Sequence, residues 1–185
     1  MQSNNNLDNV KNELGNYIQL LNASTLCFTG HRSQKLSWKF NERDMRCILM
    51  KQKLKKEIVS SIKSGYDTFL CGMALGFDMI CAEIVLELKK EYPNIKLIGA
   101  LPCKTQDIKW SKEQRERYHR ILTQLDGIRC IYDRYIGAKC MIERNHFMVN
   151  NSSKMIALFD GQTGGTKDTV EYARKQNLDI VIIKP

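Results

Sequence analysis

The 185-residue chain carries 29 Lys and Arg against 20 Asp and Glu, a formal net charge of +9, and is 43% hydrophobic with only 3 Pro and 11 Gly. That length is one domain with room for a sizeable core, and the composition excludes collagen, low-complexity disorder and a disulfide-held miniprotein. No apolar run approaches the roughly 20 residues needed to span a bilayer, so no membrane partner is expected. The polar opening, MQSNNNLDNVKNELG, lacks the basic and apolar regions of a secretory signal, and a cytoplasmic location is expected.

From Leu7 the apolar positions Leu7, Val10, Leu14, Tyr17, Ile18 and Leu21 recur at helical spacing. Residues 1–24 therefore read as an N-terminal helical extension, with a stripe that docks on the domain or zips against a second copy of the chain. A homo-oligomer is one expected partner state.

From residue 25 to 185 the pattern alternates. Short apolar runs of strand length fall at 25–29, 68–71, 95–101, 128–132, 155–159 and 179–183. Helical spacing separates them. Ile48, Leu49, Leu54, Ile58, Val59 and Ile62 share one face of the first helix, and 79–88 is apolar nearly all round. Tyr118, Ile121, Leu122 and Leu125 mark a third helix; Met141, Ile142, Phe147 and Met148 mark a fourth; Val170 and Ala173 sit in a fifth. This alternation predicts an α/β fold, a Rossmann-like parallel sheet of about six strands with helices on both faces. Such sheets bind ligands beyond the carboxyl ends of their strands, so the residues following each strand are the place to search.

After the first strand come Thr29, Gly30, His31 and Arg32, where a glycine admits close backbone approach and the side chains offer donors to phosphate. The same residues would also make a plain turn with a surface Arg. Trp38 follows, able to stack on a base or to anchor the loop. After the second strand, Gly72 and Gly76 bracket a G-x-x-x-G turn into a helix, an anion site in form. Asp78 behind them suits ribose hydroxyls, or merely the positive end of a helix. The third strand leads to Pro102 and then to Trp110. The fourth leads to Arg144 and Asn145 on a helix. The fifth leads to Gly164, Gly165 and Thr166, which present N–H groups and a hydroxyl suited to phosphate, or a loop with Thr166 as N-cap.

The seven cysteines, Cys27, Cys47, Cys71, Cys81, Cys103, Cys130 and Cys140, form no C-x-x-C and none lies at ligand spacing from a His. They read as free thiols, and neither a metal nor a resident cofactor is expected. Residues 32–56 hold nine Lys and Arg against Glu42 and Asp44, so an excess of seven positive charges out of nine is local. Such a run is a nucleic-acid patch or a solvated helix face.

The motifs Thr29-Gly30-His31-Arg32, Gly72-Met73-Ala74-Leu75-Gly76-Phe77-Asp78, Arg144-Asn145, Met148 and Gly164-Gly165-Thr166, with Tyr172-Ala173, resemble the YpsA/YoqJ-like family of the SLOG superfamily; Pro102, Gln106 and Trp110 fit its pattern too. The resemblance covers about residues 25–183. It implies a Rossmann-like domain and a nucleotide-related ligand. That superfamily includes the LOG phosphoribohydrolases, the DNA-processing protein DprA and sensors of nucleotide signals. The LOG enzymes carry an Arg in Met-x-x-Arg-Lys and a Glu in Gly-Gly-x-Gly-Thr-x-x-Glu. Here Met141-Ile142-Glu143-Arg144-Asn145 is similar to the first, with Asn145 in place of Lys. At the second, Thr169 stands where the Glu is expected, and Glu171 is two residues out of phase, roughly 200° round a helix.

The leading expectation is a domain that binds or senses a nucleotide-derived ligand, NAD-, ADP-ribose- or cyclic-nucleotide-like, at the C-terminal edge of the sheet. Gly72, Gly76, Gly164, Gly165 and Thr166 would hold phosphates, Arg32 and Arg144 would supply charge, Asp78 would take ribose hydroxyls, and Trp38 or Trp110 would stack on a base. The alternatives are a nucleotide N-glycosidic hydrolase with Arg144 as its catalytic residue, and a nucleic-acid-binding protein using residues 32–56.

Overall fold

A computed structural model describes residues 22–185. The N-terminal stripe from Leu7 to Leu21 lies outside the described residues.

Six strands form one sheet: β1 (Thr25–Gly30), β2 (Thr68–Cys71), β3 (Lys96–Cys103), β4 (Gly127–Tyr132), β5 (Lys154–Leu158) and β6 (Asp179–Ile183). Five helices connect them: α1 (Met45–Lys63), α2 (Phe77–Leu88), α3 (Lys112–Leu122), α4 (Ala138–Asn150) and α5 (Gly165–Lys175). All five strand pairings are parallel and the order is β4-β3-β2-β1-β5-β6. The expected α/β sheet of six strands is what the chain forms. The bounds expected for β2 and β6 match; β3 starts one residue later and runs on through Pro102, past the point where its pairing with β2 stops at Gly99.

The chain steps outward from β1 through β2 and β3 to β4, then returns to the opposite side of β1 with β5. Right-handed crossovers place α1, α2 and α3 on one face of the sheet and α4 and α5 on the other. Side-chain alternation along the strands serves both faces. Leu26, Phe28, Phe69, Leu97, Ile156 and Leu158 pack with α1–α3. Their neighbours Cys27, Leu70, Ala100, Met155 and Ala157, smaller on the whole, pack with Met148, Val149, Val170 and Ala173 of α4 and α5.

One expectation is corrected here. The buried stripe of α1 is Cys47, Met50, Leu54, Ile58 and Ser61, whereas Ile48 and Leu49 are 36% and 50% exposed. Steps of three and four residues through Cys47 and Met50 follow the helical period more closely than the bulkier pair. Their fit to the sheet decides the face.

The reversal of direction leaves a crevice between the carboxyl ends of β1 and β5. This is the topological switch point at which open α/β sheets bind ligands.

Candidate functional site

A cavity of about 420 Å³ opens at that switch point. Its walls come from four places: the end of β1 and the turn behind it (Thr29 to Arg32, Gln34, Lys35), the β2–α2 connection (Ala74, Asp78), α4 (Met141, Arg144, Asn145, Met148) and the β5–α5 loop (Thr163 to Thr166). The volume falls within the range of small-molecule sites.

At its floor lies a buried ion pair. Arg144 and Asp78 are 5% and 6% exposed, and Arg144 Nη1 stands 3.6 Å from Asp78 Oδ2. Arg144 donates to the Gly72 carbonyl, and Asp78 accepts from the Ala74 N–H at 3.2 Å. Burial pushes the Asp78 carboxyl above its ordinary value and the Arg144 guanidinium below its own, each against the attraction of the other. Gly72 makes the pair sterically feasible: a Cβ there would sit 1.7 Å from Arg144 Nη1 and 2.7 Å from Asp78 Oδ2. Arg144 Nε is buried with no hydrogen-bond partner among the described residues, and Arg144 lines the cavity. An unpaired donor of this kind is costly to bury, and a ligand acceptor would satisfy it.

Opposite stands the start of α5. Gly164 is its N-cap at φ +137°, a conformation that favours glycine, and no side chain among the described residues caps the helix. Gly164, Gly165 and Thr166 line the cavity at this positive end of the helix, where the first N–H groups have no side-chain cap among the described residues. Thr166 is the second helical residue, so its role as N-cap is not realised. Thr169 donates to the Gly165 carbonyl at 2.6 Å and accepts from Asn145 Nδ2 at 2.8 Å, tying α4 to α5. The position where a LOG enzyme carries its carboxylate is thus filled by a buried hydroxyl with both partners inside the protein.

The remaining wall is cationic. Arg32 and Lys35 are exposed, line the cavity, and enter no ion pair among the described residues. A side chain at Gly164 would meet Lys35 Nζ at 3.0 Å, which places that ammonium over the α5 N-terminus. His31, 5% exposed, pairs with Asp160 at 2.9 Å and so links the loops after β1 and β5. The Asp160 carboxylate also accepts from the Gln162 N–H at 3.0 Å. That bond, with His31 and against slight burial, holds its pKa below the ordinary carboxylate value.

Thr29, Gly30, His31, Arg32, Asp78, Arg144, Asn145, Gly164, Gly165 and Thr166 thus come together around one cavity. Five expected residues do not line it. Trp38 is 4% exposed and sits in the core under α1–α3. Pro102 is buried within β3. Gly72 serves the ion pair through its missing side chain and its carbonyl. Gly76, at φ +100°, lies where a Cβ would be 2.7 Å from Ser33 N, so it packs the β2–α2 turn against the β1 turn. The lack of a side chain at both positions allows close packing, of Gly72 on Arg144 and of Gly76 on the β1 turn. Trp110 lines an adjoining cavity of about 260 Å³.

Sequence reading missed Lys35, Gln34, Ala74, Met141, Thr163 and Asp160. Lys35 was present in the basic run and Asp160 heads the loop after β5; neither carries a motif of its own. Of the other cations between residues 32 and 56, Arg46 pairs with Asp44, Lys51 with Glu42 and Lys55 with Glu87. Much of the excess charge is solvated helix face. All seven cysteines are free, and six are buried. Burial pushes the Cys27 thiol up to about 12, and those of Cys71 and Cys81 well above their ordinary value. Among the described residues no cluster of His, Cys, Asp or Glu is arranged to hold a metal, and no helix is long and apolar enough to cross a membrane.

Comparison with known proteins adds three findings. A family model described as the YspA SLOG family matches residues 26–185. A UPF0398 protein of Brevibacillus brevis is 34% identical over 142 residues, covering 76% of this chain and 75% of its own. The SPbeta prophage-derived protein YoqJ of Bacillus subtilis is 34% identical over 142 residues, 68% of this chain and 83% of its own. Among solved structures, DNA processing protein A of Helicobacter pylori, studied for its single-stranded DNA binding mode, superposes with a TM-score of 0.59 at 17% identity over 85% of this chain. The same protein from Streptococcus pneumoniae gives 0.58 at 14% identity over 88%. This chain spans 64% and 51% of those two structures, and at such identities the likeness is one of fold. With a family model covering the sheet and every loop that builds the cavity, the chain belongs to the YspA SLOG family.

Proposed function

We propose that this domain binds a nucleotide-derived anionic ligand in the switch-point cavity. Its phosphate rests on the uncapped N-terminus of α5, and Arg32 and Lys35 supply charge from the rim. The observation that carries this reading is Arg144 Nε, a buried donor without a hydrogen-bond partner among the described residues, in a residue that lines the same cavity as the uncapped start of α5. The complementary signs favour phosphate over a neutral group. Binding without turnover is favoured because Asp78, the one carboxylate lining the cavity among the described residues, is already held by Arg144 and the Ala74 N–H. Thermal denaturation with NAD, ADP-ribose, cyclic nucleotides and AMP tests the reading. At least one should raise the melting temperature, and Arg32→Ala/Lys35→Ala should weaken that ligand at least about tenfold. No shift from any of the four sinks it. Incubation with AMP or NAD should release no free base; release that is lost in Arg144→Ala would establish the glycosidic hydrolase instead.

A second reading is binding of single-stranded nucleic acid. It draws on the fold shared with DNA processing protein A and on Lys39, Arg43, Lys53 and Lys56, which form no ion pair among the described residues. Mobility shifts with single-stranded DNA at two salt concentrations test it, since phosphate contacts weaken steeply with salt. No shift at the lower concentration removes it.

A further inference from the structure

The switch-point cavity has a neighbour that the phosphate site does not use. A second chamber, of about 260 Å³, shares Arg32, Gln34, Ala74 and Met141 with the first and continues along the carboxyl ends of β2 and β3 to Trp110. Resting on the phosphate reading above, we propose that the crevice is a single two-chamber site. The ligand's anionic head sits at α5 and its planar heterocyclic base sits beside Trp110.

Three features of the second chamber support a ring. First, the Trp110 indole is half-buried and fixed: it packs edge-on against the buried Tyr118 ring, with centroids 5.1 Å apart and planes at 73°. A pre-oriented aromatic surface at a chamber wall is suited to a base, because every base has a π-face to offer. Second, the turn that carries Ala74, a lining residue of both chambers, is held in a conformation that costs energy. Met73 lies at φ +56°, in the left-handed region unusual for a residue with a side chain, and its carbonyl accepts from Gln106 Nε2 at 3.0 Å. Gln106 donates also to Tyr118 Oη at 3.0 Å, so one amide locks both the strained turn and the ring that backs Trp110. Strain that its surroundings maintain at a ligand crevice is a mark of pre-organisation. Third, amides ring the chamber: the Gln34 side chain has no partner among the described residues, and Gln114, whose Oε1 accepts from the Ser111 N–H, keeps its NH₂ for another acceptor. Amides read the edge of a heterocycle, and Arg32 and Lys109 on the same wall add cationic donors for its ring nitrogens or carbonyls.

The test separates head from base. Binding of ribose 5-phosphate, which has only the head, and of AMP, which has both, is measured by calorimetry on the full chain and on Trp110→Ala, Trp110→Phe and Gln34→Ala. AMP should bind the native protein at least tenfold more tightly than ribose 5-phosphate. Trp110→Ala should abolish that margin, Trp110→Phe should restore most of it, and Gln34→Ala should reduce it, with ribose 5-phosphate affinity little changed by the two Trp110 changes. Equal affinities for the two probes in the native protein, or equal losses for both in Trp110→Ala, overturn the two-chamber site and leave the phosphate site standing. Binding of neither probe overturns the two-chamber site; the phosphate site falls with it only if NAD, ADP-ribose and cyclic nucleotides also leave the melting temperature unchanged.

Discussion

Arg144 Nη1 stands 3.6 Å from Asp78 Oδ2 at the floor of the crevice, and both residues are at least nine-tenths buried. Neither charge is tolerable alone in such a place, because removing one partner leaves the other desolvated and uncompensated. Arg144→Ala is therefore expected to destabilise the fold by about 3–5 kcal/mol. The double change Arg144→Met/Asp78→Asn should recover much of the loss, since it leaves no buried charge. Urea denaturation of the three proteins checks this, and a single variant as stable as the double would show that the pair is not the cause.

Gly72 and Gly30 are expected to resist even the smallest side chain. A Cβ at position 72 would overlap Arg144 Nη1, and one at position 30 would lie 2.4 Å from Phe77 Cδ1 in a fully buried ring. Overpacking of this kind typically costs about 1–3 kcal/mol. Gly72→Ala should in addition displace Arg144 and abolish ligand-induced stabilisation, whereas Gly161→Ala, with nothing within 4 Å of its Cβ, meets only the cost of its φ of +91°. The three melting temperatures, with and without AMP, make the comparison.

The pairing of Asp160 with His31 gives the crevice a dependence on acid. The Gln162 N–H and His31 hold the folded Asp160 pKa below the ordinary value. A folded value below the unfolded one, about 3.9, means that this carboxylate stabilises the protein above the unfolded value. That contribution is lost as the pH falls through the folded value. Asp160→Asn should cost about 1 kcal/mol at pH 7, and the gap from the native protein should close between about pH 4 and lower values. Chemical denaturation across that range reads it directly; a gap that widens in acid would reverse the assignment.

The two tryptophans should behave as opposites. Trp38 is a core residue, so Trp38→Ala is expected to cost about 3–5 kcal/mol. Trp110 is half-buried, and its loss should be milder in stability while falling on the ligand. Equal destabilisation by the two substitutions would contradict their different burial.

Strand and helix order was legible in the sequence because these signals are local: the short apolar runs at Thr68–Cys71 and Asp179–Ile183 need no knowledge of the rest of the chain. The loops with chemistry were legible for a related reason, since glycines and cations at the ends of apolar runs stand out wherever the sheet places them. Misreadings arose where a residue's surroundings come from distant segments. Ile48 and Leu49 look like core but are turned outward, and Trp38 looks like a ligand platform but is packed beneath the helices. Gly72 looks like a phosphate turn, yet its neighbour is an arginine 72 positions away.

By itself, then, the sequence determined an α/β domain with glycine- and cation-bearing loops beyond its strands, and it carried the motifs of its family. Only the tertiary structure decided which of those loops meet. The strand order sets β5 beside β1, so the N-terminus of α5 faces Arg32, Lys35 and Arg144 across one crevice, while Trp110 is left to a second chamber. The reason is physical: a strand's face is written in its own residues, but its neighbour in a sheet is chosen by the packing of the whole chain.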